Sequence, residues 1–256
     1  MILVRSEHPR FLSNSYLVAD RPGGHACVVD TGADPAPLLA AIDEHDLTPE
    51  LVLLTHHHHD HVEHNGLWGD AHGLPLCGHR NEVVLFGDLD RLLEHEETVA
   101  VGELRITSLL IPGHTLGQLA FDVVREGTDE RLLFTGDTLF RESVGGTRGP
   151  GHTTHTDLRR SILERLLTLP HDTEVCPGHS VGTTLGHEWE HNPFVRYWRG
   201  LDAPLDRRVT AFGRPAVLEV EARDYDGGTK CLVRWDEPGT EGQQLDVVPG
   251  SKVKPA

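Results

Sequence analysis

The run Thr55-His56-His57-His58-His59-Asp60-His61 constrains this chain most tightly, because five imidazoles and a carboxylate follow directly on the apolar stretch Leu51-Val52-Leu53-Leu54. Whatever fold forms must end a buried strand on a dense set of metal-binding groups. In extended backbone alternate side chains share a face, so His56 and His58 can face one ion while His57 and His59 face elsewhere. A helix beginning near Asp60 would turn that residue and His61 toward a neighbouring position, where a second ion could sit. The spacing therefore reads H-x-H-x-D-H. An expression tag or loose histidine tract would lie at a terminus, without the strand in front or the amphipathic run Asp60 to Trp68 behind. Any single one of the nineteen histidines is by default a surface or hydrogen-bonded core residue. The density decides.

The length of 256 residues suits one full domain with a small appendage. No stretch approaches the ~20 consecutive apolar residues that crossing a bilayer requires, and Arg5, Glu7 and His8 stand where a signal peptide would carry its apolar core. No membrane association is expected, and a cytoplasmic location is the default. Cys27, Cys77, Cys176 and Cys231 are far apart and form no C-x-x-C pair, which predicts reduced, buried thiols rather than ligands or nucleophiles. The formal net charge of −17 argues against nucleic acid, which is gripped by clustered Lys and Arg. A small-molecule substrate is the expected partner.

Short β-runs are predicted at Ile2 to Val4, Ser15 to Val18 and Ala26 to Val29, the last closed by Asp30-Thr31-Gly32. A helix fits Pro35 to His45, with prolines in its first turn and Leu38, Leu39 and Ile42 at helical spacing. After the histidine cluster come a short helix over Asp60 to Trp68, a strand over Leu74 to Cys77 and a short helix over Glu82 to Leu85. Three later segments repeat one theme, an apolar strand, a glycine, then His or Asp: Leu104 to Ile111 leads into Gly113-His114, Arg131 to Thr135 into Gly136-Asp137, and Thr173 to Cys176 into Gly178-His179. Glycine permits a sharp turn at a strand end and close approach of backbone to a buried ion. A two-metal site needs about three ligands beyond the cluster, and these ends offer three. A scaffold helix is expected over Thr156 to Leu169, and another over Glu188 to Tyr197 interrupted at Asn192-Pro193.

Beyond about Leu205 the pattern becomes β-rich: Ala216 to Val220, Cys231 to Trp235 and Gln244 to Val248 predict a small barrel-like module or added strands. The division expected is 1–205 catalytic and 206–256 module, the latter a candidate for binding a partner or for self-association. Tyr225 and Trp235 fit the packing of a minimal β core, or, beside Asp224, Asp226, Asp236 and Glu237, an aromatic pocket for a basic ligand.

Thr55 to His61, Gly113-His114, Gly136-Asp137 and Gly178-His179, in that order, resemble the metal-binding motifs of the metallo-β-lactamase superfamily, over about Asn14 to Tyr197. The resemblance implies an α/β fold, a four-layer αβ/βα sandwich with the site on the rim where two sheets meet, and the Asp30-Thr31-Gly32 turn beneath it. It implies that His56, His58 and His114 hold one metal, that Asp60, His61 and His179 hold another, and that Asp137 bridges them. Two divalent ions contribute +4; Asp60, Asp137 and a bridging hydroxide leave +1 to stabilise an oxyanion. Asp60 is also expected to orient the nucleophile, which makes it the catalytic candidate. Zinc is the first choice of metal, with iron and manganese as alternatives.

Gly136-Asp137-Thr138-Leu139-Phe140, Thr183-Thr184, Glu188 and Asn192-Pro193-Phe194 are similar to the glyoxalase II-like branch, whose members hydrolyse thioesters such as hydroxyacyl-glutathione. A thiolate leaves without a strong general acid. Gly145-Gly146-Thr147-Arg148 displaces the arginine those enzymes carry in a Gly-Arg pair, and an acidic β-rich segment replaces their helical tail; another thioester or a smaller ester is therefore open. Arg148 and His152 are the substrate-binding candidates, with Arg141 and His155 in the same loop; His79 is a candidate support for the ligands. The alternatives are a persulfide dioxygenase-like protein with one iron held by two histidines and an aspartate, a lactone or β-lactam hydrolase, and a binding protein acting through its C-terminal module.

Overall fold

Val28-Val29, Val52-Leu53 and Leu132-Leu133-Phe134 are buried on both faces, which is what continuous apolar runs become when covered by a layer on each side. A computed structural model describes residues 1–83, 87, 89–237 and 244–256. The chain forms two compact units: the first comprises residues 1–110, 117–136 and 174–180, the second residues 111–116, 137–173 and 181–256.

The first unit holds two sheets. In one, β1 (Ile2–Glu7), β2 (Asn14–Ala19), β3 (His25–Val29), β4 (Thr48–Leu53), β5 (Leu76–Gly78) and β6 (Arg91–Leu92) lie in sequence order. The first three pair antiparallel and the rest parallel. In the other, β7 (Thr98–Val101), β8 (Leu104–Leu110), β9 (Leu119–Arg125) and β10 (Arg131–Gly136) form an antiparallel meander, and β13 (Glu174–Pro177) adds in parallel to β10. The inner faces share one core, in which Tyr16, Val18, Val29 and Leu53 meet Ile106, Phe121, Val123 and Phe134. On the outer face of the first sheet, helix α1 (Ala36–Glu44) seats Leu38 and Ala41 against Leu17, Val28 and Val52. Pro35 and the Pro37 ring in its first turn fit where amide hydrogens have no helical partner. The cluster itself forms α2 (His59–Val62), and a separate π-helical turn, Leu67–Ala71, stands where one continuous helix was expected. Of the predicted Glu82 to Leu85 helix, Arg80–Glu82 is a 3-10 turn, and Val84 and Leu85 lie outside the described residues.

The second unit carries the hairpin β11 (Leu139–Phe140) and β12 (Ser143–Val144), helix α3 (His155–Ser161), the two-residue β14 (Thr183–Thr184), and helices α4 (Leu185–His191) and α5 (Pro193–Trp198). The predicted Thr156 to Leu169 helix is α3 followed by a π-helical turn, Ile162–Leu166. Its C-terminal part is an antiparallel sheet of five strands in the order β18-β17-β16-β15-β19: β15 (Arg207–Ala211), β16 (Arg214–Arg223), β17 (Thr229–Trp235), β18 (Leu245–Pro249) and β19 (Val253–Pro255). Val209, Leu218, Val233, Trp235 and Val248 are its core. All four cysteines are free and buried, and burial pushes the thiols of Cys77 and Cys231 up to about 11. Among the described residues no helix is long and apolar enough to cross a membrane.

Candidate metal centre

In the first unit, the end of β4 places Thr55 against Asp30, which stands at the end of β3 with a left-handed φ of 56°. The Thr55 amide donates to Asp30 Oδ1 and the Thr55 hydroxyl to Oδ2, both at 2.8 Å. That hydroxyl has one proton, so at 3.1 Å from its oxygen His56 Nδ1 must be the donor. His61 Nδ1 lies 2.8 Å from the same Asp30 Oδ2 and donates to it. One buried carboxylate thus fixes the tautomer of both rings and leaves each Nε2 with its lone pair free of a proton, the state a metal ligand needs. His56 Nε2 and His58 Nδ1 then lie 3.0 Å apart.

Asp60, His61 and His179 form a group within this unit, each offering one ligand atom within 4.8 Å of the others. Asp60 Oδ2 is 3.4 Å from His179 Nε2 and 3.7 Å from His61 Nε2. Donors about 2.1 Å from a tetrahedral ion are about 3.4 Å apart, so the residues fit a divalent metal in spacing and chemistry. The Asp30-Thr31-Gly32 turn braces the group: the Thr31 amide donates to the His61 carbonyl at 2.8 Å, and a Cβ at Gly32 would collide with the Asp60 carbonyl. His179 is fixed by Asn14, whose amide donates to the Gly178 carbonyl and whose side chain donates to the carbonyls of Pro177 and Ser180. Gly136, at φ 47°, leaves no room for a Cβ beside Gln118 and Thr55.

His57 and His59 point away from these groups, as alternation requires. His57 is buried against Glu82, to which its ring Nδ1 donates, and Glu82 also accepts from the Gly117 amide. His59 is largely exposed. Glu82 was not among the sequence candidates; a lone glutamate in a polar stretch carries no signal of a buried role.

In the second unit His114 and Asp137 are buried, with His114 Nε2 3.6 Å from Asp137 Oδ2. His114 Nδ1 donates to the Gly146 carbonyl at 2.9 Å, which again leaves Nε2 unprotonated. Both residues line a pocket of about 290 Å³ whose other walls include Phe140, Gly146, Arg148, Phe212, Tyr225, Lys230 and Lys252. Arg148 is therefore at the pocket. Its guanidinium pairs with Asp246 at 3.0 Å and stacks over Phe212 and Trp235.

His152 and Arg141 lie outside this lining. The His152 ring is turned to its own loop, where Nδ1 donates to the Gly149 carbonyl at 2.7 Å. His155 is buried and accepts from Trp198 Nε1 at 3.0 Å; burial, helped by Arg159, holds it down at about 4. His79 caps the 3-10 turn by accepting from the Asn81 amide, and its own burial lowers its pKa. The aromatic pocket for a basic ligand is not what forms: Asp224 pairs with Lys230 at 2.9 Å, Trp235 donates to Asp246, and the pocket lining carries Arg148, Lys230 and Lys252 against the single carboxylate of Asp137. The acidic composition of the segment hid this, because Asp224 and Asp246 are used internally.

Residues 8–179 match the family model of the Metallo-beta-lactamase superfamily. The probable metallo-hydrolase YqgX of Bacillus subtilis is 30% identical over 72% of this chain and 92% of its own. A hydroxyacylglutathione hydrolase of Cereibacter sphaeroides is 34% identical over 66% of this chain, but this covers 63% of that enzyme. Among solved structures, TTHA1623 in a di-iron-bound form is 35% identical, with a TM-score of 0.61 over 75% of this chain and all of that one.

Proposed function

Since the chain belongs to the metallo-β-lactamase superfamily, we propose that it is a two-metal hydrolase of activated carbonyl compounds, with a thioester as the foremost substrate class. By the family's motifs, His56, His58 and His114 would hold one ion and Asp60, His61 and His179 the other, with Asp137 shared. The observation that carries this reading is the Asp60-His61-His179 group, whose donor spacing suits a second ion that a single-iron centre would not require. The di-iron form of TTHA1623 and the hydroxyacylglutathione hydrolase relative support it.

When bound, the ions lower the pKa of water toward neutrality and polarise the carbonyl under attack. The chain's own residues set the charge and the direction of approach. The five imidazole donors add no charge, three of them, His56, His61 and His114, with Nδ1 held as the hydrogen-bond donor by the Thr55 hydroxyl, Asp30 and the Gly146 carbonyl; Asp60 and Asp137 remove two. Asp60, the more exposed carboxylate of the pair, keeps Oδ1 to accept a proton from the attacking water and so to orient it. The carbonyl would enter beside His114 and Asp137, which line the pocket. A thiolate departs without a protein acid, and the proposed site contains no dedicated one.

The test is hydrolysis of matched thioester, oxygen ester and lactone substrates before and after chelation and metal return, with oxygen uptake followed in parallel. Metal-dependent thioester hydrolysis without oxygen uptake is the expected result. Thiol-dependent oxygen consumption with one iron per chain would overturn it.

A further inference from the structure

Phe212 is the outlier in the C-terminal sheet. The β15–β16 hairpin closes with Ala211 opposite Arg214, and its two central residues, Phe212 and Gly213, both have positive φ, 50° and 76°. That is the turn Asn-Gly satisfies best; a bulky aromatic at its first central position is strained. Phe212 is also 45% exposed, so packing does not repay the strain. Its ring instead lines the same pocket as His114 and Asp137, and its amide donates to the Lys252 carbonyl at 3.0 Å, tying the hairpin tip to the lysine beside it.

The charges of that lining are unequal in what they leave over. Lys230 is neutralised by Asp224 and Arg148 by Asp246. Lys252 makes no ion pair among the described residues and is exposed. Phe140 and Tyr225, in edge contact at 5.5 Å, and Phe212 supply flat apolar surface in the same cavity. At about 290 Å³ the cavity sits at the small end of ligand pockets. Asp137, the carboxylate of the same lining, faces His114 at 3.6 Å, so Lys252 is the cation left over, and a single cation matches a singly charged anion better than a dianionic phosphate.

We propose that Phe212 and Lys252, carried by the C-terminal sheet, form a specificity subsite for a small thioester or ester bearing one carboxylate besides its scissile carbonyl. This rests on the hydrolase reading for the position of the reaction, and on the pocket alone for the recognition. The β-rich segment is then a wall of the substrate pocket.

The matched probes are the S-benzyl thioesters of succinic acid and of pentanoic acid, which differ at the chain end in a carboxylate or an alkyl terminus. The wild type should favour the succinyl compound by about tenfold or more in kcat/KM, the range of a charge-assisted hydrogen bond. Lys252→Ala should bring that ratio close to one, chiefly through KM. Phe212→Asn should raise Tm, by relieving the turn, while raising KM and leaving metal content intact. A purely structural Phe212 would give a lower Tm. Independently of turnover, 4-(benzylthio)butanoic acid, which has no scissile carbonyl, should bind chelator-treated wild type in a calorimetric titration and bind Lys252→Ala at least tenfold more weakly. Equal turnover of the two thioesters, or an unchanged ratio in Lys252→Ala, overturns the subsite while the hydrolase reading stands. Lysine-dependent binding of the thioether without turnover of either thioester supports the subsite and overturns the hydrolase reading.

Discussion

Asp30 is the residue on which most depends, because a single carboxylate receives Thr55 and His61 and, through the Thr55 hydroxyl, sets the proton on His56. Asp30→Asn replaces an acceptor with an amide that must donate in at least one direction. Metal affinity should fall about 10- to 100-fold, as losses of ligand-supporting hydrogen bonds do. Competition against a chromophoric chelator measures it; unchanged affinity would refute the assigned tautomers. His155 gives a pH signature. Its folded pKa of about 4 lies below the ordinary 6.5 because burial disfavours the charged ring, so the unfolded chain binds the proton more readily. The stability it contributes is complete above pH 6.5 and is lost progressively as pH falls toward 4, on the order of 3 kcal/mol in all. His155→Gln keeps an acceptor for Trp198 and removes the titration. Urea melts between pH 6.5 and 4.5 should show the wild type losing more stability than the variant; equal losses contradict the assignment. At this scale the ligand-type residues were legible because they follow strand ends at recognisable spacing. Glu82, Phe212 and Lys252 were not, since their roles arise from contacts made across long sequence separations.

Asn192 shows how the interruption expected between two helices is built. Its side-chain oxygen caps α5 by accepting from the amides of Phe194 and Val195, while its side-chain nitrogen donates to Glu188 and to the Ser143 carbonyl. Glu188, whose pKa burial raises, also accepts from Thr183 and from the Glu142 amide, so the residue string that resembles glyoxalase II enzymes is a buried knot under the β11–β12 hairpin. Asn192→Ala should cost about 2 to 4 kcal/mol, a cap plus unsatisfied buried partners, in denaturant melts. A cost below about 1 kcal/mol would show the knot to be dispensable. The helix ends here were readable from Asn-Pro chemistry. Strand β9 was not anticipated, because Leu119–Arg125 is buried along most of its length and lacks the alternation that marks a half-exposed strand. Strand β7 does alternate, buried against exposed, but at four residues it is too short to stand out.

At the scale of the whole molecule, a chain of net charge −17 gathers histidines at its strand ends and cations around one pocket, so its surface charge predicts little about its ligand. The fold family was legible because the ordered motifs are a global property of the sequence; the C-terminal sheet follows no such motif, and its part in the pocket emerged only from packing. With both ligand groups in place, the proposed hydrolase binds a pair of ions. The most direct measurement is the metal-to-protein ratio of the purified wild type and of Asp60→Ala, by elemental analysis after gel filtration. About two ions per chain are expected for the wild type and about one for Asp60→Ala, which lacks a ligand of one ion alone. A wild-type ratio near one that Asp60→Ala leaves unchanged would contradict the two-ion centre.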